Sequence, residues 1–112
     1  MRIIKPSQVV FANDLIQNNF NELSETDFLK KSIKKAILDM QNNAYVGIQI
    51  PKKLFPKEYL IRYKINNLWK YDLPNGWRLI YTLTPLNQVE ILSVILEWFN
   101  HKDYERRFHY LF

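Results

Sequence analysis

His101 and Tyr104 stand three residues apart in "WFNHKDYERRFHY", Trp98 to Tyr110, directly after the apolar run "VEILSVILEWF". A tail that needed only solubility could be built from Glu and Lys. This one carries imidazole, phenol and guanidinium groups: His101, Lys102, Asp103, Tyr104, Arg106 and Arg107 fall within seven positions. An imidazole titrates near neutrality and so moves protons. A guanidinium offers fixed donors to an anion. On a helical turn, His101 and Tyr104 would share a face. Plainer readings stand beside these: a surface or capping histidine and a half-buried aromatic. Arg78, on a strand, is the other candidate. It either serves a site or forms a cross-strand ion pair with Asp72, worth about 0.2–1 kcal/mol.

Other chemistries have no support in the sequence. There is no phosphate-binding loop, no GxGxxG, no HExxH and no GxSxG. The two histidines lack metal-ligand spacing, so no metal site and no cofactor is expected. With no cysteine, neither a disulfide framework nor a thiolate zinc site can form. The net charge of +5 suits a polyanion partner, because neutralising phosphates releases counterions. A solvated lysine-rich surface would give the same charge. Nothing in the chain reads as a signal peptide or a membrane span, so no membrane partner and a cytoplasmic location are expected.

These residues need a scaffold, and 112 residues with 47% hydrophobic content support a single domain over 1–112. "QVVFA" (8–12) reads as a short strand. "NDLIQNNFNEL" (13–23) puts Ile16, Phe20 and Leu23 on one helical face. "SETD" (24–27) reads as the start of a second helix, with Ser24 as cap and Asp27 in the place of the capping-box acid. Leu29, Ile33, Ala36, Ile37 and Met40 then form an apolar stripe, with Lys30, Lys31, Lys34 and Lys35 on the wet side. Residues 42–56 read as a loop, and Pro56 suits the first turn of a short helix through "KEYLIRYK", a segment that could also be strand.

Three strands follow: "LWKYDL" (68–73), "WRLIYTLT" (77–84) and "QVEILSVILEWF" (88–99). Pro74-Asn75-Gly76 fits a three-residue hairpin loop, a type I turn closed by a left-handed Gly. That loop pairs Leu73 with Trp77, Asp72 with Arg78, Tyr71 with Leu79 and Lys70 with Ile80. Trp69, Tyr71, Leu73, Trp77, Leu79 and Tyr81 then share one face, and Lys70, Asp72, Arg78, Ile80 and Thr82 the other. The last strand is apolar on both faces, the mark of a central strand. The expected fold is α+β: an N-terminal helical hairpin packed on one face of a small, mostly antiparallel twisted sheet whose opposite face is partly polar.

The stretch "NLWKYDLPNGWRLIYTL…VEILSVILEWFNHKDYERRF" resembles the RelE/ParE superfamily of toxins from toxin–antitoxin systems. "GWRLIY" matches that family's Gly-aromatic-Arg-aliphatic-aliphatic-Tyr strand. The apolar strand followed by His-Lys-Asp-Tyr is similar to the His-x-x-Tyr ending of its HigB-type members. The resemblance runs over roughly residues 8–108 and includes "GIQIPKKLFP". It implies a RelE-like β-α-α-(α)-β-β-β order with a short C-terminal helical turn. It also implies a ribosome-dependent endoribonuclease that cuts messenger RNA by 2′-hydroxyl attack without a metal, and that is restrained by an antitoxin protein. By the same resemblance Arg78 would clamp the phosphate, His101 would act as general base or acid, and Tyr104 would stack on a base or supply a proton. Lys70, Lys102, Arg106 and Arg107 would contact RNA. RelE-type members often carry two lysines on the strand before this motif. Here Lys70 matches one, and Asp72 stands where the other would be, as an acid/base group or as an ion pair for Arg78. The alternatives within the superfamily are a ParE-like inhibitor that binds a topoisomerase and an inert member that only binds RNA or a partner.

Overall fold

The computed structural model describes residues 4–108. Of the expected tail, His109 and Tyr110 lie outside the described residues. Nine elements follow in order: β1 (Ser7–Phe11), α1 (Asp14–Glu22), α2 (Phe28–Asn42), β2 (Ile48–Gln49), α3 (Lys57–Tyr63), β3 (Trp69–Asp72), β4 (Arg78–Pro85), β5 (Ile91–Phe99) and α4 (His101–Phe108). The fold is α+β, with four helices on a five-stranded mixed sheet of order β1-β5-β4-β3-β2. Three of its pairings are antiparallel, and β1 runs parallel to β5. No helix among the described residues is long and apolar enough to cross a membrane.

The helix ends follow local chemistry. The Asn13 side chain accepts the Ile16 N–H at 3.0 Å and caps α1. Asp27, not the expected Ser24, caps α2 by accepting the Leu29 N–H at 2.8 Å. Ser24 instead accepts the Thr26 N–H and tightens the connecting turn. Pro56 is the cap of α3 rather than part of its first turn, and "KEYLIRYK" is helical through Tyr63. Lys30 was expected on the wet face but is buried. Its ammonium donates to the Leu23 and Asn21 carbonyls at 3.1 and 3.4 Å and pairs with Glu25 at 2.8 Å. It thereby satisfies carbonyls at the end of α1 that the helix itself leaves open.

The hairpin register holds as expected, with Asp72↔Arg78, Tyr71↔Leu79 and Lys70↔Ile80 paired and the Leu73 N–H bonded to the Trp77 carbonyl at 2.9 Å. The turn itself differs. Asn75 (φ 61°, ψ 31°) and Gly76 (φ 78°) are both left-handed, so the reversal is an Asn-Gly turn of the I′ kind. Pro74 is the extra residue that keeps the parity of the strands. Trp69, Tyr71, Leu73, Trp77, Leu79 and Tyr81 all belong to the cluster under α1 and α2, with Leu29, Ile33, Ala36 and Met40.

The opposite face departs from the expected partly polar surface. It carries a second core of Ile50, Tyr59, Leu68, Ile80, Leu96, Phe99, Tyr104 and Phe108, covered by α3 and α4. The C-terminal segment is an eight-residue helix rather than one turn. The region 42–56 contributes β2, which pairs with β3 through Ile48↔Lys70 and Gln49↔Trp69. Between β4 and β5 the pairing jumps from Ile80↔Glu97 to Tyr81↔Ile95. Leu96 is thus an extra residue, a β-bulge. It lets two consecutive side chains, Leu96 and Glu97, face α3 and α4.

Candidate active site

Arg78 opens β4 directly opposite Asp72, the last residue of β3. Lys70 lies two residues before Asp72 and therefore on the same face. Arg78 Nε sits 2.9 Å from Asp72 Oδ1, and Lys70 Nζ sits 3.4 Å from the same oxygen. A second contact fixes the guanidinium, whose Nη1 donates to the Trp77 carbonyl at 3.2 Å. Beneath both cations lies the Tyr104 ring, 5.7 Å from Lys70 Nζ and 5.5 Å from the Arg78 Cζ. Each cation meets the negative face of a ring, an attraction of about 0.5–1 kcal/mol that grows when water is excluded.

Helix α4 delivers that ring. Asn100 starts the helix by accepting the Asp103 N–H on its side chain at 2.9 Å and the Tyr104 N–H on its carbonyl at 2.8 Å. Tyr104 then packs on Phe99 and Phe108, with ring centroids 5.9 and 4.8 Å away. It is only 3% exposed, so stacking on a base is closed to it in this arrangement. Its geometric role is to support the two cations.

His101 begins α4 and meets the hairpin tip. A Cβ built on Gly76 would lie 3.2 Å from the His101 Cβ, so the turn and the helix start touch at a residue whose positive φ already favours glycine. The imidazole is 60% exposed and pairs through Nε2 with Glu105 one turn on. His101 and Tyr104 therefore belong to one helical turn but not to one environment, contrary to the shared face expected of them.

The other predicted cations divide. Lys102 and Arg106 are on the exposed side of α4, Arg106 pairing with Asp103 at 3.4 Å. Arg107 is drawn away from the site by two carboxylates, Glu97 at 2.9 Å and Glu58. Burial opposes its charge, but its bonds to Glu97 and Glu58 outweigh that and hold its pKa above the ordinary value. Tyr59 donates to the same Glu97, and burial together with that carboxylate pushes its phenol far up. Glu58, Tyr59 and Glu97 were not among the candidates read from the sequence. The bulge at Leu96 that turns Glu97 inward leaves no mark in an alternating pattern, but Tyr104 and Phe108, four residues apart, did signal an inward helix face.

Two clefts, of about 520 and 590 Å³, flank the Glu97–Arg107 pair rather than Arg78. A phosphodiester strand does not need an enclosed pocket. It needs cations with their donors accessible from the side, so charge geometry identifies the candidate site better than concavity does. Among the described residues no group of three or more His, Asp or Glu could hold a metal ion. No known protein family, characterised protein or solved structure matches the chain significantly.

Proposed function

We propose that this chain is a RelE/ParE-type toxin that cleaves messenger RNA on the ribosome and is held in check by an antitoxin protein. The observation that carries the reading is the Lys70–Arg78 pair seated on the Tyr104 ring, next to a hairpin tip that abuts His101. Arg78, His101 and Tyr104 belong to the "GWRLIY" and His-x-x-Tyr segments that resemble the family, and Lys70 to the strand before them. The α+β fold supports this reading, while β2, between α2 and α3, departs from the order the resemblance implies.

In this reading the ribose 2′-oxygen attacks the adjacent phosphorus and the bond to the 5′-oxygen breaks. A base removes the 2′-hydroxyl proton and an acid returns one to the leaving 5′-oxygen, giving a 2′,3′-cyclic phosphate and a 5′-hydroxyl. Arg78 and Lys70 hold the non-bridging oxygens as charge builds on them. His101, exposed at the helix start and aligned by Glu105, moves the proton. The exposed Lys102 and Arg106 supply contacts along the RNA backbone.

Primer extension on translated messenger RNA tests this reading. The wild-type chain should cut, and His101→Ala should cut about 10²–10⁴-fold more slowly. Co-expression with the product of the adjacent reading frame should raise soluble yield and give a complex that co-purifies. The second reading, a ParE-like topoisomerase inhibitor, draws on the Asp72 carboxylate that already occupies the space between both cations. Inhibition of gyrase supercoiling without RNA cleavage would establish it instead.

A further inference from the structure

Three charges meet beside the Tyr104 ring, and the two of like sign are the sheltered ones. The Arg78 and Lys70 side chains are 18% and 21% exposed, whereas that of Asp72 is 49% exposed. Both cations share a single oxygen of Asp72. Arg78 Nε is buried and, although 2.9 Å from that oxygen, makes no hydrogen bond of acceptable geometry. The carboxylate therefore offsets one of the two positive charges and fits the guanidinium poorly.

We infer that Asp72 is a displaceable plug, its carboxylate standing between Arg78 and Lys70 in the place of a phosphate oxygen that expels it on binding. The inference rests on the reading of this face as a phosphate site and gives that site a means of selecting its ligand. The cations cannot follow the carboxylate outward. Arg78 is tied to the Trp77 carbonyl, and both cations sit on a buried ring. Asp72 ends its strand with its side chain half in water, so a change of rotamer frees it. Once it leaves, two adjacent cations face an empty position. A tetrahedral oxyanion fills that position better than one carboxylate oxygen, because its several oxygens can meet Arg78 and Lys70 separately. Weakly bound anions do not repay the loss of Asp72, so the plug sets a threshold that phosphate oxyanions cross and chloride does not.

The test uses the full chain and inorganic phosphate as probe, against chloride at matched ionic strength. Binding is read from the Arg78 Nε–H signal by NMR and from thermal denaturation. Asp72→Asn keeps the shape of the side chain, and Asp72→Thr provides a second, strand-compatible variant. Each should bind phosphate about tenfold tighter than wild type, as expected for removal of a close, partly exposed charge competitor. In chloride each should melt below wild type, and phosphate should restore the loss. Adding Arg78→Gln should abolish both effects. A short RNA bearing 2′-O-methyl groups, which cannot be cut, should follow the same order and would tie the site to the nucleic-acid backbone. Unchanged or weaker phosphate binding in both Asp72 variants overturns the plug, as does a gain that survives Arg78→Gln. If the wild-type chain cuts RNA while the variants gain nothing, the plug fails and the cleavage reading stands. A gain in phosphate binding by a chain that never cuts RNA keeps the plug and discards the cleavage reading.

Discussion

The two faces of the sheet are packed by different means. Under α1 and α2 the buried residues are non-aromatic apart from Tyr81, with Trp69, Tyr71, Trp77 and Trp98 partly buried around them, and backbone groups close the Tyr81 hydroxyl. Tyr81 donates to the Ala44 carbonyl and accepts the Gly47 N–H, both at 2.9 Å, and burial pushes its phenol up to about 12. Under α3 and α4, Tyr59, Phe99, Tyr104 and Phe108 dominate, and charged side chains run into the layer at Lys70, Arg78, Glu97 and Arg107. An aliphatic side chain fills space and nothing more. An aromatic ring fills space and also offers a negative face to a cation. The buried centre of the first face is therefore suited to carrying stability, with Lys30 over the Phe20 ring at its edge, and the second face to holding a cluster of charges that water would otherwise disperse.

That division can be broken by single substitutions, and the largest effect is expected on the aliphatic face. Ile33 is fully buried in the first cluster. Ile33→Ala should cost about 2–5 kcal/mol by urea denaturation, from lost burial and the cavity left behind. RNA cleavage per folded molecule should stay near wild type. A variant that kept its stability but lost cleavage would show that the two faces are not separable in this way.

Arg78→Ala should do the reverse. Cleavage should fall about 10²–10³-fold, the usual effect of removing a donor aimed at developing negative charge, while the melting temperature stays close to wild type. His101→Ala, on an exposed side chain, should likewise lower the rate by about 10²–10⁴-fold without unfolding the domain. Full cleavage by both variants would remove the second face from the chemistry.

A pair of lysines on α2 sharpens the comparison within the first face. Lys30→Met removes a buried ammonium from the Leu23 and Asn21 carbonyls and from Glu25. The expected loss is about 1–3 kcal/mol, the cost of leaving sheltered partners unmatched. Lys34→Ala, half exposed with one contact to the same Glu25, should lose much less. Equal losses would mean that Lys30 acts only as a surface charge.

Lys30 also shows where the sequence is silent. The apolar stripe of α2 was legible, and with it the face that the helix buries, because spacing alone determines both. The fate of one lysine at the edge of that stripe depends on where the end of α1 comes to rest, which no local pattern records. The β3–β4 register was legible because a one-residue slip would have put Trp69 and Tyr71 on the face opposite Leu79 and Tyr81. The conformation of the turn was not, since Pro74 preserves the parity whether or not Asn75 is left-handed. Lys70, Asp72 and Arg78 could be placed together by alternation, and Tyr104 joins them from α4. Glu97 could not be placed, because the bulge at Leu96 reverses the count. The second layer was missed because the many charges of "KEYLIRYK" and "HKDYERRF" outweighed the one apolar signal there, the spacing of Tyr104 and Phe108.

The smallest expected effect belongs to Glu25, in the turn between α1 and α2. Hydrogen bonds with Lys30 and Lys34, reinforced by their charges, lower its carboxyl from 4.5 to about 2. A carboxyl whose pKa is lower in the folded chain stabilises the fold wherever it is ionised in both states. That contribution is complete above about pH 4.5 and is lost as the pH falls towards about 2. Glu25→Gln removes it at every pH. The stability difference between wild type and variant should therefore be constant near neutrality and shrink steadily across that acid window. Because the carboxylate is exposed, the difference should also narrow with added salt. Urea denaturation at a series of pH values measures it. A difference that ignores both pH and salt would show that Glu25 shapes the turn through packing, and that Lys30 reaches its place at the end of α1 without its help.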